Sequence, residues 1–556
     1  MASIVKKIIK GKPYYYAREC RRVNGKPKIV WQKYLGRAAD IIGAVRHATS
    51  PQEADVIEYG LTAALYDLAL TLGLVSLIDR HCPKREQGPS IGQYMLIAAI
   101  NRCSQPRSKN KIGQWYSSTA LRRLMPLAVS ALSSQRFWDN MSLLDREKIR
   151  AIERDLAKAL VEGEGIGLDC LLYDTTNFFT YIATETDSLI PQRGHNKQKR
   201  DDLKQIGLAL LVSRDFHVPL FHDVYPGDVP DSVEFAGVIE DLTSRLSEIS
   251  RDCQGVTLVF DKGNNSADNI RRCGDCHYVG ALMPGRHMDL LAVPLSQYQD
   301  VSEGWKAYLT KKNVFGKEHT ICVTWNEEFY RSQMYGLRLQ LAKRTKKLDA
   351  LSRRLCERRQ GVIRSGPKPR VAVVNRYVRK ILKGQHMKET IKFSASQEGG
   401  DVLFEYKVDE EAISRIASIY FGKSILFTDR EDLDAGGIIR TYRAQYQVED
   451  AFKQLKDSHH VSFTPVYHWT DDKIRVHAFY CVLALTLSSL LVRRLHKAGV
   501  AISPQEMYTQ LSDIREVLLL YPQSGGKSKA VTMISKMNPV QSELFKVLDL
   551  SRFAHS

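Results

Sequence analysis

Asp174 closes the apolar run Leu171-Leu172-Tyr173, and Asp261 closes Val256-Thr-Leu-Val-Phe260. An acid at the end of a buried-type strand stands where α/β folds present ligand and metal groups. A third acid, Glu449, falls in Tyr442-Arg-Ala-Gln-Tyr-Gln-Val-Glu449-Asp-Ala-Phe-Lys-Gln-Leu-Lys456. That stretch has no Gly or Pro, and Val448, Phe452 and Leu455 recur at helical spacing. The spacing predicts one helix with Tyr442, Glu449 and Lys456 along a single stripe. Each residue alone has a plainer reading, as a turn residue, helix cap or surface charge. Together, three carboxylates from separate segments can hold two divalent ions about 3.5–4 Å apart and clamp an in-line displacement at phosphorus. All-oxygen ligands favour Mg²⁺, with Mn²⁺ as a substitute, over Zn²⁺. Lys456 would pin a phosphate as a point charge.

Positioning those acids requires a sheet. Short β-forming runs at 171–173, 208–212, 218–224, 256–260 and 277–282 supply it, with a helix starting near Asp231. Ahead of them, residues 4–35 are β-rich, with Asn24-Gly25 as a hairpin turn. Residues 52–160 are mostly helical: Leu61, Leu65, Leu68 and Leu72 mark one amphipathic helix, Ile91 to Ile100 another, and Ser133-Ser134 starts a third. Beyond the sheet, Leu341, Leu348 and Leu355 repeat every seven residues in a long basic helix that ends before Pro367 and Pro369. Ser424 to Thr428 reads as a strand re-entering the sheet. The run Ala478 to Val492 is too short for a bilayer and suits a core helix. Residues 500–556 carry no chemical motif.

The net charge of +19 is concentrated. Residues 1–50 carry +10 and residues 338–383 carry +14, leaving the rest of the chain at −5. A near-neutral body with two basic patches is the pattern of a polyanion binder, here nucleic acid. Ten scattered cysteines read as reduced thiols, and no signal peptide is seen at the N-terminus. Cys273-Gly-Asp-Cys276-His277 matches a haem-attachment pattern, but it lies at the start of a core strand and haem attachment would need export. No second pair supports zinc.

With these motifs in view, the chain resembles a DDE transposase of bacterial insertion sequences, in the branch with a Tyr-x2-Arg-x3-Glu-x6-Lys signature. Tyr442, Glu449 and Lys456 match three of its four positions, and Gln445 departs at the Arg position. Arg443 lies two residues earlier, about 200° around a helix, and is no obvious replacement. Asp174 in Tyr-Asp-Thr-Thr and Asp261 in Phe-Asp-Lys-Gly-Asn match the two aspartate motifs. Gly194-His-Asn-Lys197…Arg200…Asp202…Gln205, Pro226-Gly-Asp228, Arg22-Val-Asn-Gly25 and Tyr34-Leu-Gly36 also resemble the family.

The resemblance implies an α/β fold: an RNase H-like mixed-sheet catalytic core interrupted by an insertion domain, with an N-terminal β-rich segment and a helical domain. The expected boundaries are 1–50 for the basic β-rich segment, 51–165 for a helical DNA-binding domain, and 166–285 for the first part of the core. The insertion domain with a basic helical hairpin follows at 286–425, the second part of the core at 426–498, and a tail suited to dimerisation at 499–556. Asp174, Asp261 and Glu449 become metal ligands for two Mg²⁺ ions. Tyr442, Lys456, Lys453, Lys197 and Arg200 become DNA contacts, and Trp305 or Trp325 becomes a candidate to receive a flipped base. The implied partners are double-stranded DNA, as terminal inverted repeats and target, and a second copy of the chain on paired ends, with no membrane. The implied location is the bacterial cytoplasm at the nucleoid. Two alternatives stay open at this point: a nuclease of the same fold without strand transfer, and a DNA-binding protein that has kept the fold without the reaction.

Overall fold

The runs before Asp174 and Asp261 become adjacent strands of a nine-stranded sheet. The structure is a computed structural model that describes residues 2–23, 26–47, 51–83, 87–182, 187–196, 198, 200–249, 255–521 and 529–554. The chain divides into two units. One comprises Met1–Gly163, Phe179–Ser188 and Lys453–Ser556, and the other comprises Glu164–Phe178 and Leu189–Phe452.

The second unit holds the large sheet. Its strands run in the order Gln299–Ser302, Trp305–Val314, Lys317–Asn326, Lys423–Thr428, His277–Leu282, Thr257–Val259, Cys170–Phe179, Gln205–Ser213, Pro219–Pro226. The Cys170, Thr257 and His277 strands are mutually parallel, while Lys423–Thr428 is antiparallel to His277–Leu282. Parallel strands are buried on both faces and therefore read as continuous apolar runs, and Leu171, Leu172, Leu258 and Val259 are fully buried. Helix Asp231–Ile249 packs on one face through Phe235, whose ring lies 4.9 Å from that of Tyr173 and 4.9 Å from that of Phe260. Ser424 to Thr428 does join this sheet, as expected. The strands Trp305–Val314 and Lys317–Asn326 also join it, although the sequence placed them in the segment 286–425, outside the core. Their alternating pattern shows that they are strands but carries no signal of which sheet they complete.

Between Asn326 and Lys423 the chain leaves the sheet and builds its own core. Helix Glu327–Arg359 is capped by Asn326, whose side chain accepts from Phe329 N at 2.8 Å. It buries Leu337, Leu341, Leu348 and Leu355, the heptad read from sequence, against Val374 and Val378 of helix Val371–Ile381, Phe404 of the hairpin Ile391–Glu398/Asp401–Val408, and Ile413. The helix is charged on its other sides, with Lys343, Lys346, Lys347 and Arg353 exposed. The chain returns at Gly422, where φ is +74° and a Cβ would stand 2.8 Å from the Asn326 carbonyl oxygen. Only glycine fits that return.

The first unit contains the N-terminal antiparallel sheet Ala2–Ile9, Lys12–Val23, Lys26–Gly36, in which Tyr16 and Tyr34 pack at 5.2 Å. The expected Asn24-Gly25 turn lies outside the described residues. The helices include Gly60–Thr71, Ile91–Ser104 with a Ser90/Gln93 capping box, and Ser134–Met141 capped by Ser133. Two expectations need correction here. The apolar run near 478–492 belongs to the longer helix Asp471–Lys497, which is long and apolar enough to cross a membrane. Its most apolar stretch is 94% buried in protein, so packing rather than shortness makes it a core helix. The regions read as helical domain and tail also share a sheet: Glu53–Glu58 pairs with Arg515–Tyr521, which pairs with Lys529–Ile534. Partners so far apart in sequence leave no local trace of their pairing.

Glu58 closes the first of those strands. It is buried, its Oε1 accepts from Leu61 N at 3.0 Å and Thr62 N at 3.2 Å, and Oε2 has no partner. Burial lifts its carboxyl from 4.5 to about 7. Between those values the folded chain holds a proton that the unfolded chain has lost, so this group's contribution to stability falls as pH rises and levels off above about 7. The variant Glu58→Gln cannot titrate there. Relative to it, the wild-type chain is expected to lose about 3 kcal/mol from ~pH 4 to 8, read from paired denaturant melts.

Candidate active site

Leu172 pairs in register with Val259 on the neighbouring parallel strand. Carried two residues further, that register brings Asp174, within its strand, level with Asp261, just past the end of the neighbouring strand, where paired strands lie about 4.8 Å apart. Successive side chains alternate across a sheet. Tyr173 and Phe260, each immediately before its acid, both point at Phe235 on one face. Asp174 and Asp261 are thereby turned to the opposite face. Asp174 lies within its strand, which continues to Phe179, and not at its end as expected. Its partner Thr257–Val259 is the strand that stops, and Asp261 caps the short turn that follows, accepting from Lys262 N at 2.7 Å.

The stretch 442–456 is not one helix. Helix Ala435–Arg443 ends, two residues form a turn, and helix Tyr446–Lys456 begins. At the break Gln445 N donates to Tyr442 O at 3.0 Å and Val448 N to Gln445 O at 3.1 Å, three-residue bonds in place of four-residue ones. Ala444 and Gln445 are buried at this turn. No Gly or Pro announces the break. The Tyr442 stripe is thus split: Tyr442 belongs to the first helix, while Glu449 and Lys456 share a face of the second.

Tyr442 donates its hydroxyl proton to Asp261 Oδ1 at 3.4 Å. Burial, then the charges of Asp261, Asp174 and Glu449, push this phenol well above its ordinary value. All three predicted acids therefore lie close enough to one hydroxyl for their charges to act on it. Among the described residues no three His, Cys, Asp or Glu side chains converge tightly enough to make a ready metal cage. The donor set around Tyr442 is oxygen only, which fits a hard divalent cation.

The other predicted contacts fall out as follows. Lys453 and Lys456 are exposed on helix Tyr446–Lys456. Arg200 donates from Nε and Nη2 to the two Asp202 carboxylate oxygens, each at 2.8 Å, and Lys197 lies outside the described residues. Gln445, at the departing signature position, is buried, and Arg443 stands 5.0 Å over the Trp305 ring. Trp325 packs on Tyr330 at 6.0 Å. Arg214, Arg440, Arg443 and Tyr446 line a groove of about 610 Å³ beside the helix break. Cys273 and Cys276 are buried thiols, and His277 Nδ1 meets Asp429 at 3.0 Å, so the haem-like motif is ordinary core.

Sequence reading recognised the 194–228 motif but missed its role. Gln205 is fully buried and its Nε2 donates to Gly227 O at 2.7 Å and His195 O at 3.2 Å, while Gly227 N donates to Ile190 O at 3.1 Å. A Cβ on Gly194 or Gly227 would stand 2.0 Å from a backbone oxygen. Three backbones are stapled against the strand next to that of Asp174, and the spacing Gly194, Gln205, Gly227 was the available signal.

The family model described as a transposase DDE domain matches residues 182–487. This chain belongs to that family. The match to the DDE transposase domain includes Asp261 and Glu449 and begins shortly after Asp174. No curated protein matches the chain. Among solved structures, a piggyBac transposase synaptic complex with hairpin DNA, determined by cryo-EM, is similar at 10% identity, covering 81% of this chain and 78% of that one with a TM-score of 0.36. Membership makes this chain a transposase-family enzyme acting on DNA, in a family that generally uses divalent metal ions, and the mixed α/β fold agrees with that.

Replacing Tyr442 by Phe removes the donor to Asp261 and leaves the three charges. Metal-dependent DNA cleavage by Tyr442→Phe is expected to fall about 10-fold, the worth of one hydrogen bond to a charged group. Because the phenol is pushed up, the rate profile from ~pH 7 to 9 should keep its shape. An alkaline limb that vanishes in the variant would show that Tyr442 titrates in this range.

Proposed function

We propose that this chain is an insertion-sequence transposase that binds terminal inverted repeats, cleaves donor DNA at them, and joins the freed 3′-hydroxyls to target DNA. The observation that carries this reading is the register of the parallel strands that lead into Asp174 and Asp261, with Tyr442 hydrogen-bonded to Asp261 and in the field of all three acids. In this reading the sheet is an RNase H-like core, and the segment 327–422 is its insertion domain. Asp174, Asp261 and Glu449 would hold two Mg²⁺ ions, which supply Lewis-acid activation of the attacking oxygen and relief of charge at phosphorus. Tyr442 orients Asp261 by its hydrogen bond. Lys456 and Lys453 carry positive charge along the Glu449 helix toward the DNA backbone. The enzyme would work as a homodimer on paired ends, at the bacterial nucleoid.

Asp174→Asn, Asp261→Asn and Glu449→Gln should each lower Mg²⁺-dependent cleavage of an end-sequence duplex by at least about 10³-fold, with double variants no worse, as for groups acting as a unit. Near-wild-type cleavage by any single variant would remove that residue from the site. Strand joining, assayed with pre-cleaved ends, separates a transposase from a nuclease of the same fold.

The exposed cations of helix Glu327–Arg359 are read as partners of the DNA backbone. Changing Lys346, Lys347 and Arg353 to Ala should reduce the slope of log K against log salt by about 0.9 for every phosphate that is no longer neutralised. Fluorescence anisotropy with a labelled duplex measures it, and an unchanged slope would place the DNA elsewhere.

A further inference from the structure

Among the described residues of the helical unit, two buried cations have no counter-ion. Arg102, at the end of helix Ile91–Ser104, is 5% exposed, and Lys109, opening helix Lys109–Ser117, is 8% exposed. Among the described residues neither has a carboxylate partner. Arg102 Nη1 donates to the Ser462 carbonyl at 3.2 Å, and Lys109 donates to the Tyr480 hydroxyl. Tyr480 in turn donates to His477 Nδ1 at 2.5 Å, and His477 Nε2 donates to the Phe463 carbonyl at 2.6 Å. That chain consumes neutral acceptors and leaves both positive charges uncompensated. Elsewhere in this unit the sequence does provide counter-ions: buried Asp67 takes both Arg494 and Arg552.

Arg102 and Lys109 border a half-open cavity of about 140 Å³. Ser108, Asn110 and Ser134 add neutral hydrogen-bonding groups to its wall, and the Ser108 hydroxyl makes no helix-cap bond. His468 and His477 complete it, and two exposed aromatic rings, Trp138 and Tyr467, stand at its lining. Among the described residues no acidic side chain lines it. A buried cation without a partner is costly, and a cavity that gathers two of them is complementary to an anion.

We propose that this cavity binds a phosphate group, with Arg102 and Lys109 as its counter-cations and Ser108, Asn110 and Ser134 as neutral partners. The phosphate is either one of the DNA backbone or that of a free phosphate compound, with its substituent leaving past Trp138 and Tyr467. The site shares no residue with the carboxylates and does not depend on the catalytic reading. Burial, then the charge of Arg102, holds Lys109 well below its ordinary value, and burial does the same to His477 and His468. An arriving anion reverses the unfavourable field that they share.

The test uses the full chain with inorganic phosphate, against sodium chloride at equal ionic strength. Wild type is expected to show a saturable rise in Tm of about 2 °C or more. Lys109→Met should lose that rise without a lower Tm of its own, because a buried charge has been removed. Ser134→Asp supplies a carboxylate to the cavity and should block the phosphate effect while raising the starting Tm, which keeps the test decisive if the Met variant fails to fold. Duplex binding then separates the sources. If a backbone phosphate occupies the site, inorganic phosphate competes and Lys109→Met reduces the salt slope by about 0.9. If a free compound does, the slope is unchanged and the Tm response alone is lost. A phosphate response equal to wild type in Lys109→Met, or no saturable response together with an unchanged slope, would overturn the proposal.

Discussion

The interaction on which the rest depends is the aromatic clamp of Phe235 against Tyr173 and Phe260. Those two rings belong to different strands, yet each precedes an acid by one residue. One helix side chain holds both strands at the same height and, through alternation, directs both acids to the other face. A slip of one residue on either strand would exchange a buried ring for a carboxylate. The apolar packing cost of that exchange, about 1.5–3 kcal/mol per large side chain plus the desolvation of the acid, fixes the register more firmly than the three paired residues of the short Thr257 strand could. Chemistry on one face is thus secured by hydrophobic packing on the other.

Charge is managed differently in different parts of the chain. Around Tyr442 three like charges gather, and the phenol gives Asp261 one hydrogen bond beside that from Lys262 N. Such an arrangement is unfavourable by itself and gains stability when a cation enters. Surface cations of the long helix face water and retain their hydration. The Asp67 cluster shows the third solution, internal pairing, where the chain provides both signs. The uncompensated groups are therefore informative, because the same polypeptide neutralises buried charge elsewhere.

Much of this was legible in the sequence, for identifiable reasons. Asp174 and Asp261 were found because fully buried parallel strands read as unbroken apolar runs, and the Leu341 heptad because a helix seam repeats in its own sequence. The break at Ala444-Gln445 was not legible, because no Gly or Pro stands there to mark it. The Glu53/Arg515 pairing was missed because strand partners remote in sequence leave no periodic mark. Trp305 and Trp325 lie on strands of the large sheet, but sheet membership is a property of the whole fold and leaves no local pattern. For Gln205 and Gly227 the motif was visible while its meaning, three crossing backbones, needed coordinates.

The way the chain departs at Asn326 and returns at Gly422 has an architectural consequence. Asn326 N donates to the Gly422 carbonyl at 2.9 Å, so both ends of the 327–422 segment meet at one hydrogen bond between adjacent antiparallel strands. To the sheet, that whole segment is equivalent to a hairpin loop. Its size is decoupled from the geometry of the strands, and the cost of closing so long a loop grows only logarithmically with its length. A junction of this kind makes the segment modular: it can be lengthened, shortened or exchanged across evolution while the spacing between Asp174 and Asp261 stays the same.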